Sequence, residues 1–375
     1  MKAFLSSWTF LIVIQLLPIK TLAQESYKVW NDEKIYDKTV TAVNAIYHWE
    51  FEDAQNKITE IKAVVPNDHP LPYFLEAMYL FWERAPIGYD SPEAKKHFEL
   101  LLKTAELSKK RLDEDEEDIE GLFFRLVAQS IIMRGYAEQH ETMKSAGYAS
   151  EVYGLIRKAM SRKEEEKEFY FVAGMYNYYR DAYPSKYPAY KPFLMFFPKG
   201  DKELGLDQIK KSARDNVFTR CEAQLYLVYI YLYYEEDYET ALSYAKNLIE
   251  EYPKNRFFHA IYLGILERGN LLNQGVDVIT EMDQNAKDPF YQTTAKVFNG
   301  IYGAKYKGET EEAYTCYMQV EKELEKLGTR GTFLHAYVYG NLYKYYSDHG
   351  DKSKAKHYYK LAKAHDYFHY LKRIK

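Results

Sequence analysis

The sequence predicts an all-α fold, a solenoid built from about eight helix pairs. Apolar residues recur at spacings of three and four over most of the chain, as they do on one face of a helix. These segments come in pairs, separated by short acidic, glycine or proline breaks. The chain has 375 residues, more than one ordinary hydrophobic core serves, which favours several domains or a repeat array.

The first 23 residues have the layout of a secretory signal peptide. Lys2 gives a basic start, residues 4–19 are largely apolar, and the small residue Ala23 precedes Gln24. The apolar run is short for a transmembrane helix, although retention as an uncleaved anchor is the alternative. We therefore expect cleavage after Ala23 and a protein secreted across the inner membrane, periplasmic or associated with the cell envelope.

Composition excludes several classes of function. The full chain has 51 Lys and Arg and 55 Asp and Glu, and losing Lys2 and Lys20 with the leader leaves a net charge of about −6. An acidic chain has no general attraction for nucleic acid or anionic lipid. Cys221 and Cys316 cannot form a disulfide framework or a four-ligand zinc site, and their apolar surroundings predict buried free thiols.

The clearest helix pair lies in residues 222–255. The run Leu225–Tyr234 is almost uninterrupted in apolar and tyrosine residues, too long and too uniform for a half-exposed strand. A helix that is hydrophobic on most sides packs between neighbouring helices. After an acidic break, a second helix has its apolar face at Tyr238, Ala241, Leu242, Ala245, Leu248 and Ile249. Pro253 then ends this helix, because proline cannot continue the hydrogen-bond ladder.

The segment "DYETALSYAKNLIEEYPKN" resembles the second helix of a tetratricopeptide repeat, with an aromatic residue, small residues and a terminating proline in the expected places. Similar segments are "FEDAQNKITEIKAVVPND", "GETEEAYTCYMQV" and "GDKSKAKHYYKLAKA". The resemblance implies a right-handed α-solenoid of the tetratricopeptide type. We expect the break between the two helices of each pair near residues 50, 88, 138, 190, 236, 270, 307 and 349.

The repeats divide the chain only loosely. We predict one helical-repeat domain over residues 24–375, irregular over 24–215 and regular over 216–375. Residues 169–255 are also similar to the central region of the eukaryotic inclusion-body-clearance family of tetratricopeptide proteins. Gly174, Asn177, Pro184 and the segment "GDKELGL" carry this likeness, which implies a shared way of joining two helices and no activity.

A loop rich in proline and aromatic residues follows residue 182. Its ten residues from Tyr183 to Pro192 contain three prolines and three tyrosines, and phenylalanines follow. The prolines predict extended rather than helical backbone. Such an insertion either packs onto the solenoid or presents a contact surface, and we hypothesise that it caps one end of the concave groove.

Tyrosines are concentrated on the first helices of the pairs, which line the concave surface of such solenoids. Tyrosine suits wet binding surfaces because its broad apolar ring ends in a polar group. Tyrosines one to three residues apart point in different directions, so most of them must lie between helices and the rest reach the groove. The candidate partner-binding residues are Tyr176, Tyr179, Tyr183, Tyr187, Tyr190, Phe193, Phe197, Tyr226 and Tyr233.

Other polar clusters have ordinary structural interpretations. His365 and His369 are one helical turn apart, as in the H-E-x-x-H zinc motif, but Asp366 takes the place of the glutamate. The acidic block "DEDEEDIE" at 113–120 fits a turn that leads into a helix N-terminus. Phosphate-binding loops, nucleophile elbows and dinucleotide-binding glycine motifs are missing from the sequence. No catalytic residue, metal or cofactor is predicted.

These observations predict a binding protein rather than an enzyme. The leading expectation is an extracytoplasmic scaffold or adaptor that holds a protein or peptide in its concave groove, without nucleic acid and without stable membrane insertion after signal cleavage. The alternative is a carbohydrate- or cell-wall-binding solenoid, which would show exposed coplanar rings flanked by Asn, Asp or Arg. A metal-dependent hydrolase is less favoured, because it would need a clustered acid pair or metal site in a pocket.

Overall fold

The computed structural model describes residues 27–195, 197–365 and 370–374, in which the long regular elements are helices. The predicted leader and His369 lie outside the described residues, as do the side chains of Tyr190 and Phe193. The helices are α1 (Glu33–Tyr47), α2 (Phe51–Val64), α3 (Leu71–Glu83), α4 (Pro92–Glu114), α5 (Ile119–Glu138), α6 (Thr142–Ser161), α7 (Phe169–Lys186), α8 (Lys191–Leu194), α9 (Lys202–Asp215), α10 (Arg220–Tyr233), α11 (Tyr238–Glu251), α12 (Arg256–Arg268), α13 (Val276–Asn285), α14 (Pro289–Tyr302), α15 (Thr310–Leu327), α16 (Thr332–Asp348) and α17 (Lys352–Ala364).

Consecutive helices pack as neighbours, which makes the described chain an all-α solenoid of helix pairs. The pairs are α1 with α2, α3 with α4, α5 with α6, α7 with α9, α10 with α11, α12 with α13, α14 with α15 and α16 with α17. Each of the eight predicted breaks falls at or beside the connection between the two helices of a pair. The run Leu225–Tyr234 belongs to α10, so its prediction as helix rather than strand is confirmed.

Polar side chains at the helix starts define where many of these helices begin. A carboxylate, amide or hydroxyl oxygen accepts a hydrogen bond from a backbone N–H of the first turn, which would otherwise have no partner. This arrangement occurs at Asp32, Ser91, Asp201, Asp237, Asn255, Asp288 and Asp351. At the turn before α17, Gly350 has φ of 77°, a conformation that favours glycine.

The fourth helix pair, α7 with α9, is held unusually close by glycine. A Cβ at Gly205 would lie 2.4 Å from the backbone nitrogen of Tyr178, and a Cβ at Gly174 would lie 2.9 Å from the carbonyl oxygen of Gly205. Real side-chain carbons do not approach backbone atoms so closely, so the two helices can meet only where both residues lack a Cβ.

The N-terminal helices also pack across the second half of the solenoid. The hydroxyl of Tyr47 at the end of α1 lies 2.6 Å from the carbonyl oxygen of Phe218. The side-chain amide of Asn255 donates to the Tyr47 carbonyl oxygen at 3.1 Å. Further along, Arg330 donates to the carbonyl oxygens of Ala85 and Pro86. Residues far apart in sequence therefore share one continuous hydrophobic core.

Two local expectations need correction. The prolines at 184–192 do not keep the segment extended, because α7 runs through Pro184 to Lys186 and is followed by a 3-10 turn at 188–190 and by α8. Pro184 lies in the last turn of α7, where it removes one backbone hydrogen bond of the helix without ending it. The thiol of Cys221 is buried as predicted, whereas Cys316 is only half-buried and donates to the Lys296 carbonyl oxygen.

The acidic block forms the predicted turn, since α4 ends at Glu114 and α5 begins at Ile119. Two of its acids are nevertheless buried. Asp118 accepts from Arg111 Nε at 2.6 Å, and Glu120 lies 2.9 Å from His69 Nε2. Buried charges are stable only when they are paired, so this turn also anchors the N-terminal helices.

Candidate binding site

A cavity of about 430 Å³ lies between α3, α4, α5, α6, α7 and α10. We call it the large cavity. Its lining residues are Phe74, Ala77, Met78, Phe81, Trp82, His97, Leu101, Leu126, Val127, Ser130, Ile131, Arg134, Ile156, Phe171, Val172, Met175, Tyr176, Phe218, Thr219, Glu222 and Tyr226. Its volume and its mainly apolar lining are typical of small-molecule sites.

The floor and the rim of the large cavity differ in exposure. Phe74, Leu101 and Leu126 on the floor are buried, whereas Tyr226 is half-buried. Arg134 has 44% of its side chain exposed, so the rim is open to solvent. The cavity is therefore a pocket connected to solvent and not a sealed void.

Among the described residues that line the large cavity, Arg134 supplies the one permanent cation. Its Nε lies 3.6 Å from Glu138 Oε1, one turn further along α5. Burial alone would lower the pKa of Arg134, but the neighbouring phenol of Tyr226 and the Glu138 carboxylate raise it instead. The side chain of Arg134 is thus partly exposed but closely surrounded by protein groups, and it remains charged.

Glu222 faces the same cavity from the first turn of α10. Burial raises the pKa of Glu222 to about 7, although the hydrogen bond from Tyr47 lowers it. The Tyr47 hydroxyl is 2.5 Å from Glu222 Oε2 and 2.6 Å from the Phe218 carbonyl oxygen. A hydroxyl has one proton and can donate to only one of these oxygens. A protonated Glu222 satisfies both contacts, because it can donate to the Tyr47 oxygen.

His97 on α4 is a neutral member of the cavity wall. Its Nδ1 is 2.9 Å from the carbonyl oxygen of Ala77, which acts only as an acceptor. Burial lowers the pKa of His97 to about 4, with the Ala77 hydrogen bond opposing the shift. The proton of the neutral ring is therefore on Nδ1, and Nε2 can only accept.

A buried carboxylate fixes the segment that leads into α10. Glu168 Oε1 accepts from the backbone N–H of Val217 at 2.6 Å and from that of Phe218 at 3.2 Å. Its second oxygen accepts from the N–H and hydroxyl of Thr219. Since Phe218 and Thr219 line the large cavity, Glu168 positions one side of the site.

A second surface is formed by the first helices of the last four pairs. A smaller cavity of about 90 Å³ is lined from α10, α12, α14 and α16, with Pro86 and Arg373 completing it. We call this surface the inner wall. Its aromatic and cationic residues are Tyr229, Tyr233, Phe257, Phe290, Phe333, Tyr337 and Arg268. The guanidinium of Arg268 lies 5.2 Å from the ring centre of Tyr233.

Three of the predicted tyrosines reach these cavities. Tyr176 and Tyr226 line the large cavity, and Tyr233 lines the inner wall. Ring centres along α10 are 6.5 Å apart from Tyr226 to Tyr229 and 6.3 Å apart from Tyr229 to Tyr233, which forms one row of rings. Tyr179 is half-buried, and its ring packs at 5.2 Å against that of Tyr234.

The proline-rich loop contacts the solenoid at its far end. Tyr176 donates to the Pro198 carbonyl oxygen at 2.8 Å, and the ring of Phe197 packs at 4.8 Å against Tyr153. Tyr183 and Tyr187 pack against each other, with Tyr187 exposed. These contacts attach the described part of the loop to α6 and α7, beside Tyr176 at the edge of the large cavity.

The sequence interpretation missed Arg134, Glu222 and His97. Arg134 stands within "RLVAQSIIMRGY", where a charged residue interrupts an apolar helix, and this was the available signal. The other two are ordinary in sequence, and only the packing of α4 and α10 around a common space gives them a role.

A third pocket, of about 330 Å³, lies near α14, α15 and α16, and we call it the C-terminal pocket. Its lining is more polar and includes Asn341, Lys344, Asp348, Tyr314 and Tyr345. Over the described ranges, no three His, Cys, Asp or Glu side chains converge as a metal site would require. In the same ranges, no helix is both long and apolar enough to span a membrane.

Comparison of the sequence with protein-family models and with curated proteins finds no match. The class of this protein is therefore inferred from its own fold and cavities. In its described residues it is a helical-repeat protein with an aromatic inner wall and an apolar cavity that has a cationic rim.

Proposed function

We propose that this chain is an extracytoplasmic scaffold of the tetratricopeptide type, which holds a protein or peptide partner against its inner wall. One observation carries the proposal. The first helices α10, α12, α14 and α16 bring aromatic rings to one small cavity, where Tyr233, Phe257 and Phe333 are half-buried and Phe290 and Tyr337 are buried. Aromatic rings with polar ends are the residues that dominate the energetics of protein interfaces.

Two further features support the tetratricopeptide type and the compartment. The small residues of the repeat pattern are buried in the structure, as close helix packing needs; they are Ala54, Ala241, Ala245, Ala313, Ala355 and Ala362. The extracytoplasmic location rests on the signal-peptide pattern that ends at Ala23. The mechanism is docking of an extended or helical segment without a chemical step.

A peptide library tests the scaffold function. The chain from Gln24 is immobilised and random peptides displayed on phage are selected on it, then synthesised and measured by calorimetry. We expect enriched peptides with bulky apolar residues, and Tyr233→Ala should weaken their binding about tenfold or more, as loss of an interface aromatic does.

Tyr306→Ala is the matched control, because Tyr306 is exposed and lies outside the inner wall. The control should bind the selected peptides as the unchanged protein does. Failure to enrich any peptide, or equal binding by Tyr233→Ala and the unchanged protein, would contradict the proposal.

A further inference from the structure

We propose that the large cavity binds a small amphiphilic carboxylate, a molecule with an apolar body and one anionic head. The apolar floor and the cationic rim of the cavity define the two halves of this ligand. Binding here would be an activity in addition to partner docking, and it does not depend on a peptide at the inner wall.

The floor selects the apolar body. Phe74, Leu101 and Leu126 are buried and present only hydrocarbon to the cavity. A peptide backbone placed there would leave N–H and C=O groups without partners, which is unfavourable in an apolar site. An alkyl or aromatic body has no such groups, and its burial is favourable in proportion to its apolar area.

The rim selects the anionic head. The Nε of Arg134 lies near Glu138, and the planar fork beyond it suits a carboxylate that accepts two hydrogen bonds. The Tyr226 hydroxyl lies beside the guanidinium as a further donor. Because 44% of the Arg134 side chain is exposed, the head can stay partly hydrated while the body is buried.

Glu222 faces the same cavity and, when ionised, would repel an anion. Burial favours the protonated form of Glu222 near neutral pH by raising its pKa to about 7, although the 2.5 Å contact with the Tyr47 hydroxyl lowers this pKa. Binding is therefore best measured at pH 6, where this repulsion is small.

Trp82 lines the large cavity and reports on the ligand directly. We would titrate the chain from Gln24 with decanoic acid brominated on its alkyl chain, because a nearby bromine atom quenches tryptophan fluorescence. We expect saturable quenching that is reduced in Trp82→Phe. Unlabelled decanoate should displace the labelled acid, whereas decanol and decylamine should displace it at least tenfold less well.

Arg134→Met keeps the apolar stem and removes the charge. It should weaken decanoate binding about 10- to 100-fold, the effect of losing hydrogen bonds to a charged group, and should leave decanol binding unchanged. Arg214→Met, at an exposed position on α9 away from the cavity, is the matched control and should bind as the unchanged protein does.

Three results would overturn the proposal: no saturable quenching, quenching that is unchanged in Trp82→Phe, or equal displacement by decanoate and decanol. The last comparison uses only the unchanged protein and so does not depend on how well any variant folds. Selection of peptides without decanoate binding would leave the scaffold function standing and remove this inference. Decanoate binding without selection of peptides would leave this inference standing and remove the scaffold function.

Discussion

Glu222 shows how burial sets the charge of a single residue. Burial raises the pKa of Glu222 to about 7, although the hydrogen bond with the Tyr47 hydroxyl lowers it. In the unfolded chain the same side chain has its ordinary pKa near 4.5. Below about pH 4.5 the carboxyl is protonated in both states and does not affect stability. As the pH rises toward 7, only the unfolded state gains from ionisation, so the folded state loses stability.

We predict that Glu222→Gln removes this loss. Glutamine has the same shape and cannot ionise. The variant should be more stable than the unchanged protein at pH 8, by on the order of 1–3 kcal/mol, and equally stable at pH 4. Urea unfolding followed by circular dichroism at the two pH values measures the difference.

Glu250→Gln is the control, because Glu250 is exposed on α11. It should change stability little at either pH. A Glu222→Gln variant whose stability differs from the unchanged protein by the same amount at pH 4 and pH 8 would show that the carboxyl does not titrate differently on folding.

At the scale of the helix, the close contact between α7 and α9 depends on two glycines, Gly174 and Gly205, which have no side chain. A Cβ atom on residue Gly205 would lie only 2.4 Å from the backbone nitrogen of Tyr178. Since the neighbouring atom is backbone, a small rotation of a side chain cannot relieve the contact. The two helices would have to separate.

We predict that Gly205→Ala lowers the free energy of unfolding by roughly 1–3 kcal/mol, the usual range for overpacking. Gly147→Ala is the matched control, since Gly147 is exposed on α6 with no atom within 4 Å of its Cβ position. There alanine should raise stability by about 0.5–1 kcal/mol, because glycine is unfavourable inside a helix. Chemical denaturation measures both, and equal effects at the two sites would refute the close-contact account.

Pro184 shows the limit of local rules at this scale. The prolines around it predicted extended backbone, yet α7 continues to Lys186. The end of that helix is held by tertiary contacts that no local rule includes, such as the bond from the Lys186 ammonium to the Tyr233 carbonyl oxygen. Residue spacing could not reveal this contact, since its partners are far apart in sequence.

At the scale of the molecule, the three tryptophans of the described chain lie where the N-terminal half of the solenoid, with α1 and α3, packs against the C-terminal half that begins near α10. Trp30 packs 6.0 Å from Phe218, Trp49 lies 5.5 Å from Tyr291, and Trp82 lies 5.5 Å from Phe258, all measured between ring centres. An open solenoid contacts only its neighbouring repeats and can unfold stepwise. Because these contacts join the two halves, we expect the halves to unfold together.

We predict that the chain from Gln24, which lacks Trp8, unfolds in one cooperative transition. Tryptophan fluorescence reports separation of the halves, and circular dichroism reports loss of helix. The two signals should have the same midpoint in urea. A fluorescence midpoint at lower urea than the helical signal would mean that the halves separate before the helices unfold.

Arg330→Ala tests the same coupling from the other end. Arg330 donates to the carbonyl oxygens of Ala85 and Pro86 and to Asp288, and its side chain is 17% exposed. Its loss should lower the stability of the whole chain by roughly 1–3 kcal/mol in both signals together. Arg214→Ala is the exposed control and should have little effect. A shift of fluorescence alone would show that the halves are not coupled.

The sequence by itself determined the helices and their pairing. Apolar spacing, terminating residues such as Pro253 and the small residues of the repeats act within one pair of helices, so their effect can be predicted from neighbours in the chain. The concentration of tyrosines on the first helices, with Tyr226 and Tyr233 on α10, could be predicted for the same reason.

Only the tertiary structure decided where the cavities lie and which charges they contain. Arg134 and Glu222 are 88 positions apart, and each stands in a helix that ordinary packing explains. They come to one cavity because α1 and α3 pack across the start of α10. That packing is a long-range property of the whole chain, whereas spacing and composition report only on local segments.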